Sequence, residues 1–119
     1  MKPSLRSVFL VRSEHLNHQG HLFGGALMAE IDTVAFCLLR QEFGTRTIVT
    51  RAAEINFEKP ASLGDAITFE AELGPVGTTS VRVFVRGFVQ GRQICSATLV
   101  YVNLGPHGEK APLGGPEAP

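Results

Sequence analysis

The sequence contains little cysteine, no surplus of charge of either sign and no long apolar run. Its 11 basic residues balance 11 acidic ones, whereas a protein dedicated to nucleic acid carries a basic surplus. No stretch approaches the roughly 20 consecutive apolar residues that span a bilayer, and the first residues lack the apolar core of a signal peptide. The two cysteines, Cys37 and Cys95, suggest no disulfide framework, which indicates a reducing, cytoplasmic location. We therefore expect neither a nucleic-acid partner nor a membrane partner.

The 119 residues suffice for one domain but not for two hydrophobic cores. Residues 105–119 hold four of the seven prolines and four of the thirteen glycines, and Leu113 is their only large apolar residue. Such a segment buries too little surface to offset the entropy cost of ordering it. We predict a folded domain over residues 1–104 and a flexible, Gly/Pro-rich C-terminal tail over residues 105–119.

The apolar pattern predicts one helix and five strands. Strong helix formers fill residues 24–43, and Gly44 is a typical helix end. Gly74-Pro75 is expected to close the third strand, and Gln90-Gly91 is expected to form a hairpin turn. The predicted strands cover residues 5–11, 47–57, 66–73, 80–89 and 93–102. This order predicts an α+β fold in which an antiparallel sheet packs on one helix.

The predicted helix carries one carboxylate on its apolar side. At about 100° per residue, Asp32 falls opposite a polar stripe that is predicted to face solvent and consists of Glu30, Thr33, Arg40 and Gln41. The neighbours of Asp32 on the helix surface are apolar: Met28, Ala29, Phe36 and Leu39. A carboxylate there is costly unless it is paired or used. It is either a structural residue with a hydrogen-bond partner or a catalytic group whose reactivity is tuned by burial.

Gly24 and Gly25 open this helix. Glycines weaken a helix start by about 1 kcal/mol each relative to alanine, but they let another group approach the free amides at the positive end of the helix dipole. Such amides suit an anion or a developing oxyanion. The alternative is a tight loop-to-helix junction that needs positive φ.

These residues stand in a string that resembles the hotdog-fold acyl-CoA thioesterases of the acyl-CoA hydrolase family. The string runs from Asn17 to Gly25, as NHQGHLFGG, and continues with Leu27-Met28 and Ile31-Asp32. Weaker blocks follow in the same order as in that family, and they read IVT at 48–50, NFEKP at 56–60, LGD at 63–65 and VGTTSV at 76–81. The resemblance covers residues 5–103, nearly the whole predicted domain.

The resemblance implies a hotdog fold, with a five-stranded antiparallel sheet wrapped around the long helix, and the hydrolysis of acyl-CoA to a free acid and coenzyme A. It also implies that Asp32 is catalytic, that Asn17 positions the thioester or water, and that the amides of Gly24 and Gly25 face the thioester oxygen. A thioester is already activated, so no metal and no separate cofactor are expected. Asp32 would attack the carbonyl directly or deprotonate water.

Further residues have two readings each. Lys59 is a solvated turn residue or a contact for a coenzyme A phosphate. Thr78, Thr79 and Ser80 are ordinary turn residues or, as the resemblance implies, contacts for coenzyme A, for which Phe23 is a further candidate. His15, His18 and His21 recur every third residue but lie in an irregular polar segment, so we expect no metal site. Cys37 lacks a neighbouring base, which makes a nucleophilic role improbable.

Two alternatives to the thioesterase differ in their requirements. A hotdog hydratase needs an Asp and a His in one motif, and the predicted helix contains no histidine. A non-catalytic acyl-CoA sensor on the same fold tends to lose the catalytic carboxylate, which this chain retains as Asp32.

The spacing within the helix also predicts that two chains share each site. Asp32 lies eight residues after Gly24, a rise of about 12 Å, which a short aspartate side chain cannot bridge. A two-fold dimer would bring Asp32 of one chain to Gly24 of the other, and the resemblance implies assembly of such dimers into tetramers or hexamers.

Overall fold

One helix packs on a single antiparallel sheet of five strands in the computed structural model, which describes residues 2–44 and 46–114. The spatial order of the strands is β1-β3-β4-β5-β2, so β1 and β2 form the two edges. A short 3₁₀ turn at Ser13–His15 and the helix α1, Gly24–Phe43, follow the first strand. The strands are β1 Ser4–Leu10, β2 Ile48–Phe57, β3 Ala66–Val76, β4 Ser80–Val89 and β5 Arg92–Asn103. The predicted α+β fold with one long helix is confirmed.

The hydrophobic core lies between α1 and the sheet. The helix contributes the side chains of Leu27, Ile31, Val34, Ala35, Leu38, Leu39 and Phe43. Alternating positions of the central strands face them, and Val81, Val83 and Val85 of β4 are each at most 1% exposed. Burial of this apolar surface supplies the main stabilisation of the fold, and it fixes which residues of α1 remain outside the core.

The predicted ends of the helix and of the last hairpin are confirmed. Gly44 ends α1 with φ of 68°, a left-handed conformation that glycine adopts without the steric cost of a Cβ. Gln90 and Gly91 connect β4 and β5 with φ values of 49° and 78°, as a two-residue turn with positive φ at both positions requires.

The third strand is longer than predicted. β3 continues through Gly74 and Pro75, and its pairing with β4 resumes at Val76, opposite Val81, after a register shift. A Cβ at Gly74 would lie 2.7 Å from the ring of Phe84, so only glycine fits this irregularity. Proline is tolerated in strands at such bulges, which is why Gly-Pro does not end the strand here.

The Asp32 side of α1 faces the core only in part, because Leu39 is buried whereas the residues of this side that precede Asp32 are not. Met28 is 48% exposed and Ala29 is also exposed, whereas Asp32 is half-buried at the margin of the helix–sheet contact. Apolar periodicity shows that a surface is apolar, but it does not distinguish surface packed on the sheet from surface left outside it. The part of this side around Met28 and Ala29 is therefore an apolar surface that the described part of the chain leaves open.

The predicted polar stripe of α1 is correct for three of its four residues. Thr33, Arg40 and Gln41 are exposed, but Glu30 is half-buried and lies near His15. Burial raises the pKa of the Glu30 carboxyl, and the nearby histidine opposes this shift. The segment between β1 and α1 folds back over the start of the helix, which helical periodicity alone could not reveal.

Residues 105–114, the described part of the predicted flexible tail, pack against the domain. Leu113 is 1% exposed and belongs to the core, and its amide donates a hydrogen bond to the carbonyl of Thr78 at 2.7 Å. The side-chain amide of Asn103 donates to the carbonyls of Ala111 and Pro112, at 3.4 and 3.1 Å. One large apolar residue and one amide are enough to dock this segment. Residues 115–119 of the predicted tail lie outside the described residues.

Candidate active site

The Asp32 carboxylate is held by two hydroxyl groups from the sheet. The hydroxyl of Tyr101 on β5 donates to Asp32 Oδ1 at 2.8 Å, and the hydroxyl of Thr50 on β2 donates to the same oxygen at 3.0 Å. No described residue donates a hydrogen bond to Oδ2. Asp32, Thr50 and Tyr101 are named the aspartate cluster below. The carboxylate is therefore oriented by its partners while one of its oxygens stays available.

The start of α1 presents unpaired backbone amides. Counting from Gly24, the first backbone amide that donates a hydrogen bond to a backbone carbonyl is that of Leu27. Its acceptor is the carbonyl of Phe23, at 3.1 Å. The helix has no side-chain cap and no acidic residue in its first turn, so nothing described in the chain neutralises the positive end of its dipole. The amides of Gly24 and Gly25 can thus receive an oxyanion.

Gly25 also accommodates a neighbouring ring. A Cβ at this position would lie 2.5 Å from Cε2 of Phe23, closer than non-bonded carbon atoms approach. The exposed Phe23 ring therefore lies over the helix start because Gly25 has no side chain. At Gly24, a Cβ would meet only the ring of Phe57, at 3.9 Å.

Asn17 organises the loop before the helix. Its side-chain oxygen accepts hydrogen bonds from the amides of Gln19 and His21, at 2.9 and 3.1 Å, and its own amide donates to the His21 carbonyl. The carbonyl of Asn17 also accepts from the amide of Gly20. These bonds consume the acceptor of the side chain but leave its NH₂ group without a partner among the described residues, so a donor is free at this position.

Asn17 lines a cleft of about 290 Å³ beside the helix start. Lys59 and Phe57 lie on the opposite wall, and Leu22, Leu27 and Ile94 contribute apolar surface. The Lys59 ammonium has no ion-pair partner among the described residues, so it can meet an external anion. Asn17, Gly24, Gly25, Phe23 and Lys59 are named the loop–helix group below.

The three hydroxyl-bearing residues predicted to contact coenzyme A lie away from this cleft. Thr78 and Thr79 form the turn between β3 and β4, and Ser80 begins β4. The carbonyl of Thr79 accepts a hydrogen bond from the amide of Asn103, at the far end of β5. The hydroxyl groups of these three residues form no side-chain hydrogen bond with another described residue.

Within one chain, the two groups of predicted site residues are far apart. Phe57, which lies against Gly24, pairs with Cys95, whereas Thr50 pairs with Tyr101. Six residues of β5 separate these two pairs, a distance of about 20 Å along an extended strand. The chain therefore brings Asn17, the helix glycines and Lys59 together, but it does not bring Asp32 to them.

The histidines and cysteines show no shared site. Among residues 2–44 and 46–114, no three His, Cys, Asp or Glu side chains cluster closely enough to hold a metal ion. The ring of His15 stacks on Phe9 with centroids 4.7 Å apart. Cys37 is exposed and Cys95 is buried, both as free thiols, and burial raises the pKa of the Cys95 thiol to about 11. The Cys95 thiol is thus protonated and unreactive near neutral pH.

A larger groove, of about 620 Å³, lies on the other face of the sheet among β1, β3 and β4. Its charges are satisfied internally, since Glu70 forms ion pairs with Arg6 at 2.9 Å and with Arg86 at 3.3 Å. It contains none of the predicted site residues. The volume of a groove alone therefore does not identify the candidate active site.

Two members of the aspartate cluster were not predicted as site residues. Tyr101 alternates with other apolar residues on a strand that faces the core, so the sequence presents it as an ordinary core aromatic. Thr50 falls in one of the weaker sequence blocks but carries no local sign of its contact with Asp32. Both contacts depend on strand pairing between residues that are distant in the chain.

Solved structures identify the architecture as a hotdog fold. The acyl-CoA hydrolase of Staphylococcus aureus, in complex with butyryl coenzyme A, coenzyme A and coenzyme A disulfide, superposes with a TM-score of 0.85 at 26% identity, over 96% of this chain and 73% of that one. A hexameric acyl-CoA thioesterase gives a TM-score of 0.83 at 25% identity, over 99% of this chain and 80% of that one.

Sequence comparison leads to the same class of protein. A family model for the thioesterase superfamily matches residues 19–96, and the chain belongs to that family. The acetyl-coenzyme A thioesterase of Rattus norvegicus is 33% identical over 110 residues, which are 85% of this chain and 20% of that protein. An acyl-CoA thioester hydrolase of Salmonella typhimurium is 27% identical over 106 residues, or 82% of this chain and 80% of that protein.

The chain spans about a fifth of the length of the rat and mouse thioesterases that it matches. Within its described residues, no helix is both long and apolar enough to cross a membrane.

Proposed function

We propose that this protein hydrolyses acyl-CoA thioesters to free carboxylic acids and coenzyme A. The observation that carries the proposal is the Asp32 carboxylate, which is held through Oδ1 by Tyr101 and Thr50 with Oδ2 free. The unpaired amides at the start of α1 supply the second requirement, a site for negative charge. Membership of the thioesterase superfamily supports the hydrolysis of a thioester.

The catalytic site is proposed to form between two chains. Along α1, Gly24 and Asp32 are separated by a rise of about 12 Å, so the amides and the carboxylate of one chain cannot meet on one carbonyl group. A second helix beside the first, running in the opposite direction, brings the partner subunit's Asp32 to Gly24, and a two-fold axis creates two equal sites.

The exposed apolar surface supports this arrangement. Phe23, Met28 and Phe57 are 55%, 48% and 54% exposed, although all three carry large apolar side chains. β2 is an edge strand with its outer side unpaired among the described residues, and such edges readily pair with another chain. A second copy that pairs along β2 and α1 covers both surfaces and shields Asp32 from bulk water.

The reaction then follows from the positions of the groups. The thioester carbonyl oxygen accepts hydrogen bonds from the amides of Gly24 and Gly25, which stabilise the negative charge that develops on it. Oδ2 of Asp32 either attacks the carbonyl carbon, giving an anhydride that water cleaves, or takes a proton from the attacking water. The NH₂ group of Asn17 orients the thioester or the water. The C–S bond breaks and coenzyme A leaves as a thiolate, which takes up the proton that Asp32 accepted from water in the second route and a proton from solvent in the first. Neither route needs a metal or a cofactor.

The substrate's coenzyme A portion is proposed to contact residues from both ends of the sheet. Lys59 lines the cleft of about 290 Å³, where it can pair with a phosphate, and Phe23 presents an exposed ring at the start of α1. Thr78, Thr79 and Ser80, at the opposite end of β5, would meet coenzyme A in a site that another subunit completes. Further assembly of dimers into tetramers or hexamers is part of the proposal, as is a cytoplasmic location, which suits two free thiols.

A panel of acyl-CoAs tests the function. We expect loss of the thioester absorbance with at least one of acetyl-, butyryl-, octanoyl-, palmitoyl- and benzoyl-CoA, and a loss at least about 100-fold slower with the Asp32→Asn variant. Measurable binding of these compounds by calorimetry without turnover of any of them would contradict the proposal and favour a non-catalytic acyl-CoA sensor.

A further inference from the structure

Tyr101 occupies an unusual position for a polar side chain. It is 0% exposed within the core, yet its hydroxyl reaches the half-buried Asp32 at the margin of α1. A buried hydroxyl without a partner costs several kcal/mol by transfer to an apolar solvent, so the contact with Asp32 satisfies this group. Phenylalanine would fill the same space without that requirement.

We propose that Tyr101 is the positioning residue of the thioesterase reaction: it binds Oδ1 of Asp32 and so directs Oδ2 toward the reacting atoms. This inference rests on the proposed function, because it assigns a role relative to the catalytic carboxylate.

The ring of Tyr101 is itself held rigidly. It packs edge-on against Phe36, one helical turn after Asp32, with ring centroids 5.0 Å apart and planes inclined by 74°, a favourable geometry for two aromatic rings. β5 is an interior strand, paired with β4 on one side and β2 on the other. The hydroxyl of Tyr101 therefore comes from an interior strand, whereas Thr50 lies on the edge strand β2.

The phenol of Tyr101 also stays protonated, so that it can donate to Asp32. Burial raises the pKa of Tyr101, and the hydrogen bond to Asp32 together with the charge of that carboxylate raises it further, while Thr50 opposes the shift slightly. The hydroxyl thus stays protonated at neutral pH and cannot compete as a base. Its bond to a carboxylate is charge-assisted and stronger than a neutral one.

Two donors on one oxygen make the two carboxylate oxygens chemically different. Oδ1 shares its lone pairs with Tyr101 and Thr50, whereas Oδ2 keeps its own for attack or for accepting a proton. A freely rotating carboxylate would lose this distinction, and a catalytic group that is displaced or misoriented by about 1 Å loses much of its effect. Tyr101 touches neither substrate nor reacting atoms in this account and works entirely through Asp32.

Tyr101→Phe removes one oxygen and keeps the ring. We expect kcat to fall about 10- to 100-fold, the range for loss of a hydrogen bond to a charged group, with KM changed less than about twofold. Thr98→Val removes a hydroxyl from the same strand that has no side-chain partner among the described residues, and it should leave kcat unchanged. The decisive comparison places Tyr101→Phe in an Asp32→Asn background, where the residual rate should not fall further.

An unchanged kcat in Tyr101→Phe, a change in KM alone, or an equal loss in the Asp32→Asn background would each overturn the proposal. Absence of turnover in the unmodified protein would instead contradict the proposed function.

A second measurement does not depend on activity. Tyr101 is the only tyrosine of the chain, so incorporated 3-fluorotyrosine reports this site alone. Its ¹⁹F resonance should shift in Asp32→Asn and stay in place in the Thr98→Val control. An unmoved resonance in Asp32→Asn would overturn the contact on which the proposal depends, even if Tyr101→Phe does not fold.

Discussion

The loop–helix group and the aspartate cluster are built in different ways. Asn17 is held by hydrogen bonds to residues two to four positions away in the chain, and Gly24 and Gly25 follow it within eight residues. Asp32 is held by Thr50 and Tyr101, which are 18 and 69 residues away. Apart from Lys59, the first group is a local motif, and the second exists only after α1, β2 and β5 have assembled.

The two regions are also incomplete in complementary ways. The loop–helix group offers unpaired donors, namely the first amides of α1 and the NH₂ group of Asn17, but contains no base. The aspartate cluster offers a carboxylate oxygen without a donor. Because a rise of about 12 Å along α1 separates Gly24 from Asp32 in one chain, the comparison indicates that each region works with the opposite region of a second chain.

Replacement of the carboxylate should have the largest effect. Asp32→Asn keeps the size of the side chain and its acceptor for Tyr101, but it removes the base or nucleophile. We expect kcat to fall about 10²- to 10⁴-fold, with the Kd for coenzyme A changed only slightly. Stopped-assay kinetics and calorimetry measure the two quantities, and Glu54→Gln on the exposed part of β2 is the control. A kcat near that of the unmodified protein would reduce Asp32 to a structural residue.

The docked tail should matter for stability at the far end of the sheet. Leu113→Ala empties a core position, and such substitutions cost about 2–5 kcal/mol. Leu63→Ala is the matched control because Leu63 is 61% exposed, and surface changes are usually within about 0.5 kcal/mol. Urea unfolding of both variants gives the comparison. Equal stabilities would show that residues 105–114 are detached in solution, as their composition suggests.

The smallest expected effect concerns the other acidic residue of α1. Burial raises the pKa of Glu30 above its ordinary value of 4.5, so stability falls as the pH rises above 4.5, and the full cost of ionising this group is reached above its folded-state pKa. Glu30→Gln should therefore raise Tm at pH 7, by less than the roughly 4 °C that 1 kcal/mol would produce. The gain should shrink near pH 4, where the carboxyl is largely protonated in both states.

Thermal unfolding at both pH values measures the effect of Glu30→Gln. A lower Tm at pH 7 would show that the attraction to His15, which the substitution also removes, outweighs the cost of burying the charge.

Local signals account for what could be predicted. The extent of α1 follows from Gly44, which needs no partner to adopt a positive φ, and the last hairpin follows from Gln90-Gly91. Asn17, Gly24 and Asp32 stand in one short string, so the resemblance could single them out from that string alone. The fold and the family were within reach for this reason.

Non-local packing accounts for what was missed. Leu113 looks isolated in a tail of Gly and Pro, and only the assembled sheet offers it a buried position. Met28 looks like a core residue because apolar periodicity is the same for an inner face and for an exposed apolar face. Tyr101 is indistinguishable from a core aromatic until strand pairing places it beside Asp32.

The central claim is that each catalytic site combines Asn17 and Gly24 of one chain with Asp32 of another. Co-expression of Asp32→Asn and Asn17→Ala chains under two different affinity tags, with folding of each variant checked by thermal unfolding, tests it most directly. Each variant alone should be inactive. Purified mixed dimers should regain one of their two sites, hence about half of the unmodified activity per dimer. Mixed dimers that are confirmed by mass spectrometry but remain inactive would place both residues in the site of one chain and contradict the account.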